Sequence, residues 1–189
     1  MKTFNAVIKG IVPGLLMHRF SDGSLEPNPQ AHIVDRGTKE QQAASVAYLL
    51  DDGSLYQPAE HILQCLVKAG SNFQIKGKGK KTYKDAIKGS ITIEPECIQH
   101  FEDDGVTPRK DYKIDSRPVR IKGARIMRHR PWLPEWKLEF TILVLEDKLI
   151  PGEVLNAVLV SAGQTIGIGD YRPRFGRFIV ESFKETKES

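Results

Sequence analysis

The chain has only two cysteines in 189 residues, Cys65 and Cys97, and no C-x-x-C pair. That excludes a disulfide scaffold and a cysteine zinc site, and makes a reducing cytoplasm the expected setting. Apolar runs of about 18 residues are absent, so no membrane span is expected. No long apolar stretch follows the charged start, so no secretory signal is expected either. No G-x-x-x-x-G-K-[ST] occurs, which excludes a mononucleotide P-loop. Gly167-x-Gly169-x-x-Arg172 lacks the third glycine of a dinucleotide fingerprint. There is no H-E-x-x-H and no serine elbow. Asp51-Asp52 and Asp103-Asp104 read as turns without a partner carboxylate. No metal and no cofactor is therefore expected.

Charge is present, and it is segregated. The net charge is +4. Lys68 to Lys88 holds seven lysines and one acid, Asp85; Arg109 to Arg130 holds nine lysines and arginines and two acids, Asp111 and Asp115. Segregation of this kind is the footprint of a polyanion partner, with solvated surface charge as the bland alternative.

Pro151 to Gly163 reads as a helix. Proline suits a first position, Glu153 favours the dipole, and Val154, Leu155, Val158, Leu159 and Ala162 share one face. Gly163 is the expected stop. A glycine-rich loop follows, carrying Gly167, Gly169, Gly176, Tyr171, Phe175, Arg172, Arg174 and Arg177, before a strand from Phe178. Glycine lets a backbone phosphate approach the main chain, arginine grips phosphate bidentately, and tyrosine stacks on bases.

A second stretch, Pro58 to Gly70, matches Pro151 to Gly163 in length and punctuation. Ile8-Lys9-Gly10 before Met17-His18-Arg19 matches Ile121-Lys122-Gly123 before Met127 to Arg130. The order reads as a degenerate duplication within one domain, residues 1–189, with halves at about 3–98 and 117–183. The fold class is therefore α+β, with two βαβ-type halves.

Between these landmarks, Phe4 to Val12 and Ser90 to Ile93 read as strands. Ser21 to Thr38 reads as an exposed loop or flap, and Lys39 to Ala47 as a short helix. Lys76, Lys78, Lys80 and Lys81, spaced by glycines, form a second basic loop, with Tyr83 as a stacking face. Val119 to Met127 reads as one strand, so Arg120, Lys122, Arg128 and Arg130, at even positions, share a basic face. Trp136 to Leu145 alternates and reads as a central strand; Trp132 is expected to pack rather than stack on a base.

Segment 166–178, Ile-Gly-Ile-Gly-Asp-Tyr-Arg-Pro-Arg-Phe-Gly-Arg-Phe, is similar to the closing glycine-rich segment of the RAMP superfamily, the ferredoxin-like, RRM-related proteins of CRISPR effector complexes. Asp52 to Pro58 resembles that family's lead into its first helix. The serine-rich form of that lead is absent here, and the chain has little room for an inserted thumb. The resemblance implies a duplicated ferredoxin-like (RRM-like) βαβ core with a glycine-rich loop before the last strand. It also implies binding of RNA beside like or sister subunits, or a distant phage or mobile-element relative using the same scaffold.

The function expected is non-catalytic binding of single-stranded RNA or DNA, RNA before DNA, by an oligomer or a complex subunit. Arg172, Arg174, Arg177, Gly167, Gly169 and Tyr171 would form one contact, Lys76, Lys78, Lys80 and Lys81 a second, and Arg120, Lys122, Arg128 and Arg130 would pave the sheet between. Two alternatives stay open. One is a metal-independent RNase using His18, His61 or His129. The other is an assembly subunit whose basic faces dock an acidic partner.

Overall fold

The computed structural model describes residues 1–19, 38–121 and 124–186, without the side chains of Ile121 and Ala124. The flap expected at Ser21 to Thr38 thus lies outside the described residues except for Thr38, and so does Lys122.

A four-stranded antiparallel sheet holds the molecule together. Its strands are β1 (Lys2–Gly10), β4 (Ile91–Glu94), β8 (Lys137–Val144) and β9 (Phe178–Thr186), in the order β4-β8-β1-β9. Two helices, α2 (Ala59–Gly70) and α4 (Gly152–Thr165), pack against each other over one face. The path β1-α2-β4-β8-α4-β9 with that strand order is compatible with a ferredoxin-like fold. Alternation decides which face is covered: Phe4, Ala6 and Ile8 of β1, and Leu138, Phe140, Ile142 and Val144 of β8, point to the helices and are buried. Ile62 and Leu66 of α2 and Leu155, Val158 and Leu159 of α4 meet them. Each such side chain contributes about 1.5–3 kcal/mol.

The remaining elements are peripheral. The short α1 (Lys39–Ser45) is closed by a capping box between Thr38 and Gln41. A two-stranded sheet pairs β3 (Tyr56–Pro58) with β5 (Cys97–Gln99). Helix α3 (Tyr83–Ser90) packs on α2. A three-stranded sheet has the order β2-β7-β6, from β2 (Leu15–Leu16), β6 (Lys113–Ile121) and β7 (Ala124–Leu133).

Several expectations change. Pro151 is the N-cap residue of α4 rather than its first helical residue, and the helix runs through Gly163 to Thr165. Gly163 does not stop the helix: a Cβ there would overlap the Phe178 carbonyl, so it lets α4 lie close on β9. Gly70 likewise ends α2 against Ile87 of α3 without a positive φ. The matching helices do lie side by side on one sheet. The matching strand ends do not: Ile8 belongs to the four-stranded sheet and Ile121 ends β6 in the other. An I-K-G tripeptide is too short to mark equivalent strands. Residues 119–127 are two strands, not one. Tyr83 is 8% exposed and belongs to the core, so it offers no stacking face. Trp132 packs, its indole N–H donating to the Pro13 carbonyl at 2.7 Å.

Candidate nucleic-acid interface

The turn from Ile166 to Arg177 links α4 to β9, and three of its glycines take positive φ: Gly167 (74°), Gly169 (76°) and Gly176 (76°). All three face the protein's own main chain. A Cβ on Gly176 would overlap the Ile168 carbonyl, and one on Gly169 would reach Leu16 O at 2.5 Å. Hydrogen bonds fasten the turn: Ile168 N to Gly176 O at 2.9 Å, Asp170 N to Leu16 O at 2.8 Å, Gly176 N to Gly14 O at 2.8 Å. The glycines therefore close the turn on itself and onto β2, and the expectation that they clear space for a phosphate backbone is corrected. What the turn presents outward is Tyr171, Arg172, Arg174 and Arg177, all exposed.

The β6–β7 hairpin leans on this turn. Arg117 pairs with Asp115 at 2.7 Å and stacks over Phe175 and Tyr171, 4.4 and 5.6 Å from the ring centroids. Arg130, 7% exposed, forms a close ion pair with Asp170 at 2.5 Å; the contact is not an aligned hydrogen bond. Register settles which arginines share a face. Arg120 pairs across from Arg125, Arg117 from Arg128, and Asp115 from Arg130. Because the chain reverses between Ile121 and Ala124, even positions on β6 and even positions on β7 point to opposite faces. Arg120 is thus opposite to Arg128 and Arg130, and the single basic face expected from even numbering does not form. These residues also do not pave the four-stranded sheet. The open face of its β1, β4 and β8 carries Lys9 and Lys137 against Glu94 and Glu139, with no aromatic residue on which a base could stack.

The lysine loop projects from the far end of α2. Ile75 N donates to Lys81 O at 2.9 Å and Tyr83 N to Phe73 O at 3.0 Å, pinching the base of the loop. At its tip Gly77 and Gly79 have positive φ and open space around them, and Lys76, Lys78, Lys80 and Lys81 are all exposed. Lys84 and Lys88 extend this face along α3.

Two of the three histidines come together. Gln57 Nε2 donates to His61 Nδ1, Tyr48 Oη lies 3.5 Å from His61 Nε2, and the Tyr48 hydroxyl reaches the His18 carbonyl at 3.4 Å. Burial lowers the pKa of His61, and Arg172 adds to this. Burial also lowers that of His18, opposed by Asp170. His129 is elsewhere, hydrogen-bonded to Ser116 on the hairpin face opposite Arg130. The Cys65 thiol is pushed up to about 12 by burial, far from a thiolate nucleophile. Among the described residues no His, Cys, Asp or Glu cluster could hold a metal ion, and no helix is long and apolar enough to cross a membrane.

Between α2, the end of α4 and the turn lies an open groove of about 540 Å³, lined among others by Lys68, Thr165, Tyr171, Arg172 and Pro173. Sequence reasoning counted Lys68 but gave it no role, and it missed Arg117, Arg125 and Tyr48. The Asp115-x-Arg117 spacing, which places both side chains on one strand face, was the available signal for Arg117.

No protein-family model matches the chain, and no curated protein matches it. Among solved structures it is similar to a chain in the cryo-EM structure of the Type III-B Cmr-beta bound to cognate target RNA, with TM-score 0.60 and 12% identity over 98% of this chain. The match covers 61% of that longer chain. At this identity the likeness is one of fold.

Proposed function

We propose that the protein is a non-catalytic binder of single-stranded nucleic acid, RNA before DNA, and a RAMP-like subunit of a cytoplasmic ribonucleoprotein effector. It would self-associate or sit beside sister subunits. The carrying observation is how its cations are used. The inward arginines are committed, Arg130 to Asp170 and Arg117 to Asp115. Arg172, Arg174, Arg177, Lys76, Lys78, Lys80 and Lys81 are exposed and form no ion pair among the described residues. Exposed arginine beside a half-exposed tyrosine suits phosphate and base contacts on a flexible strand. Arg120, Arg128 and the hairpin would extend the contact, as would Lys122. Membership of the structural neighbour in a complex bound to target RNA supports the same reading. The two units β1-α2-β4 and β8-α4-β9, in one domain, support an origin by duplication.

The test is the purified protein's absorbance ratio and nuclease sensitivity, with sizing at low and high salt. Co-purifying RNA that leaves at high salt is expected, because neutralised phosphates release counterions. Protein that ignores single-stranded RNA and DNA at low salt would remove the reading and leave the basic faces for an acidic protein partner. The Tyr48 link between His61 and His18 favours one second reading, a metal-independent RNase. Cleavage in EDTA, lost in His61→Ala, would establish it.

A further inference from the structure

The groove beside α2 has a third basic member that its lining does not reveal. His61, Cys65 and Lys68 are spaced i, i+4 and i+7, so they follow one another along one face of α2. Arg172 acts electrostatically on both His61 and Cys65, so its guanidinium lies along that same face. The groove's one lining carboxylate, Asp170, is held by Arg130. Two exposed cations and a histidine thus surround a groove whose negative charge is already matched. Its volume of about 540 Å³ suits a nucleotide.

The surroundings of His61 are built for a change of protonation. In its neutral form Gln57 donates to Nδ1, and Nε2–H faces the Tyr48 hydroxyl, which passes its own proton to the His18 carbonyl. Gln57 is fully buried, and its Oε1 has no partner. Rotating that amide by half a turn would present Oε1 to a protonated Nδ1 and give the orphaned acceptor its donor. The other groups near the ring are Glu60 on its own helix, Arg172 on the turn and, through Tyr48, Arg19 and Asp170. Arg172 opposes a positive His61, and an anion between them would remove that opposition.

We propose that this groove is a phosphate-ester site in which Lys68 and Arg172 are the fixed cations and His61 is a proton-gated third, with Gln57 as the amide that follows its protonation. The proposal rests on the nucleic-acid reading for the source of the phosphate. It adds that binding takes up one proton. Affinity therefore rises as pH falls from 8 to 6, by no more than about tenfold per unit for a single proton.

Fluorescence anisotropy with a labelled single-stranded RNA, across that pH range, tests it on wild type, Lys68→Ala, Arg172→Ala and His61→Gln. Each alanine variant is expected to weaken binding about tenfold and to lower the salt slope by about 1. His61→Gln is expected to flatten the pH dependence. A 5′-phosphorylated RNA that outcompetes its 5′-hydroxyl twin would assign the groove to a terminal phosphate. Equal binding would assign it to an internal phosphodiester. Wild-type RNA binding that all three variants retain, at every pH, overturns the groove while leaving the RNA reading standing. If wild type ignores RNA, thermal shift with adenosine 5′-monophosphate and with inorganic phosphate decides. Stabilisation lost in Arg172→Ala keeps the site without the RNA, and no stabilisation overturns it.

Discussion

The Arg117 guanidinium lies 4.4 Å from the centroid of the Phe175 ring while its Nε sits 2.7 Å from an Asp115 carboxylate oxygen. One side chain of the hairpin thereby holds both its own strand and the arginine-bearing turn. Arg117→Ala is expected to cost about 1 kcal/mol, since the pair is partly solvated and the stacking is worth about that much. For a chain of this size that is a fall of about 3 °C in melting temperature. RNA affinity should drop with it, because the turn loses its brace. An unchanged melt by circular dichroism would show that the stack adds nothing.

Two glycines with nearly equal φ should respond very differently to alanine. Gly176, at 76°, would drive a Cβ into the Ile168 carbonyl, whereas Gly77, at 78°, has open space. Gly176→Ala is expected to cost at least about 3 kcal/mol, from strain plus lost turn closure. Gly77→Ala should cost only the left-handed backbone penalty, about 1 kcal/mol. Urea midpoints of the two variants give the comparison, and equal losses would contradict it.

His100 is 1% exposed, and burial, with Arg109 beside it, pushes its pKa down to about 3. The unfolded histidine, near its ordinary 6.5, binds a proton that the folded one refuses. The stability it contributes is therefore full above about pH 6.5 and is lost as pH falls towards 3. His18 and His61 shift in the same direction. Unfolding free energy should fall by about 2 kcal/mol between pH 7 and 5 from His100 alone. His100→Gln should flatten this limb in urea titrations; a limb as steep as before would assign it to other groups.

Arg120 faces Arg125 across the hairpin. Like charges directly opposite are unfavourable, and an opposite pair is favourable. Arg125→Glu is thus expected to hold or raise the melting temperature while weakening RNA binding. Affinity that rises with the added carboxylate would remove this face from the interface.

Periodicity made α4 and β8 legible, because Leu155, Val158 and Leu159 and, separately, Leu138, Phe140 and Ile142 each fill one face. It failed where few residues carry the pattern. Helix α3 buries only Tyr83, Ile87 and Ser90, too few to separate it from the lysine loop before it. The hairpin turn at 122–123 inverted the parity of its arginines, which no count along one strand could reveal. The basic residues of the interface were visible as composition. Their assignment was not: whether an arginine faces water or stacks on Phe175 depends on a contact between segments far apart in the chain. The glycines show the same limit, since a glycine that admits a ligand and one that admits Leu16 read alike.

The sheet order sets a schedule for synthesis. Strand β1, among the earliest residues made, hydrogen-bonds on both sides to β8 and β9. At roughly 5–20 residues per second, a ribosome leaves β1 without either neighbour for about ten seconds. Until then Phe4, Ala6 and Ile8 have no partner strand to align them, and folding that depends on such distant pairing is slow. A chain interrupted anywhere before β8 would display an unpaired apolar strand, so the nascent protein is a natural client for a chaperone that holds extended hydrophobic segments.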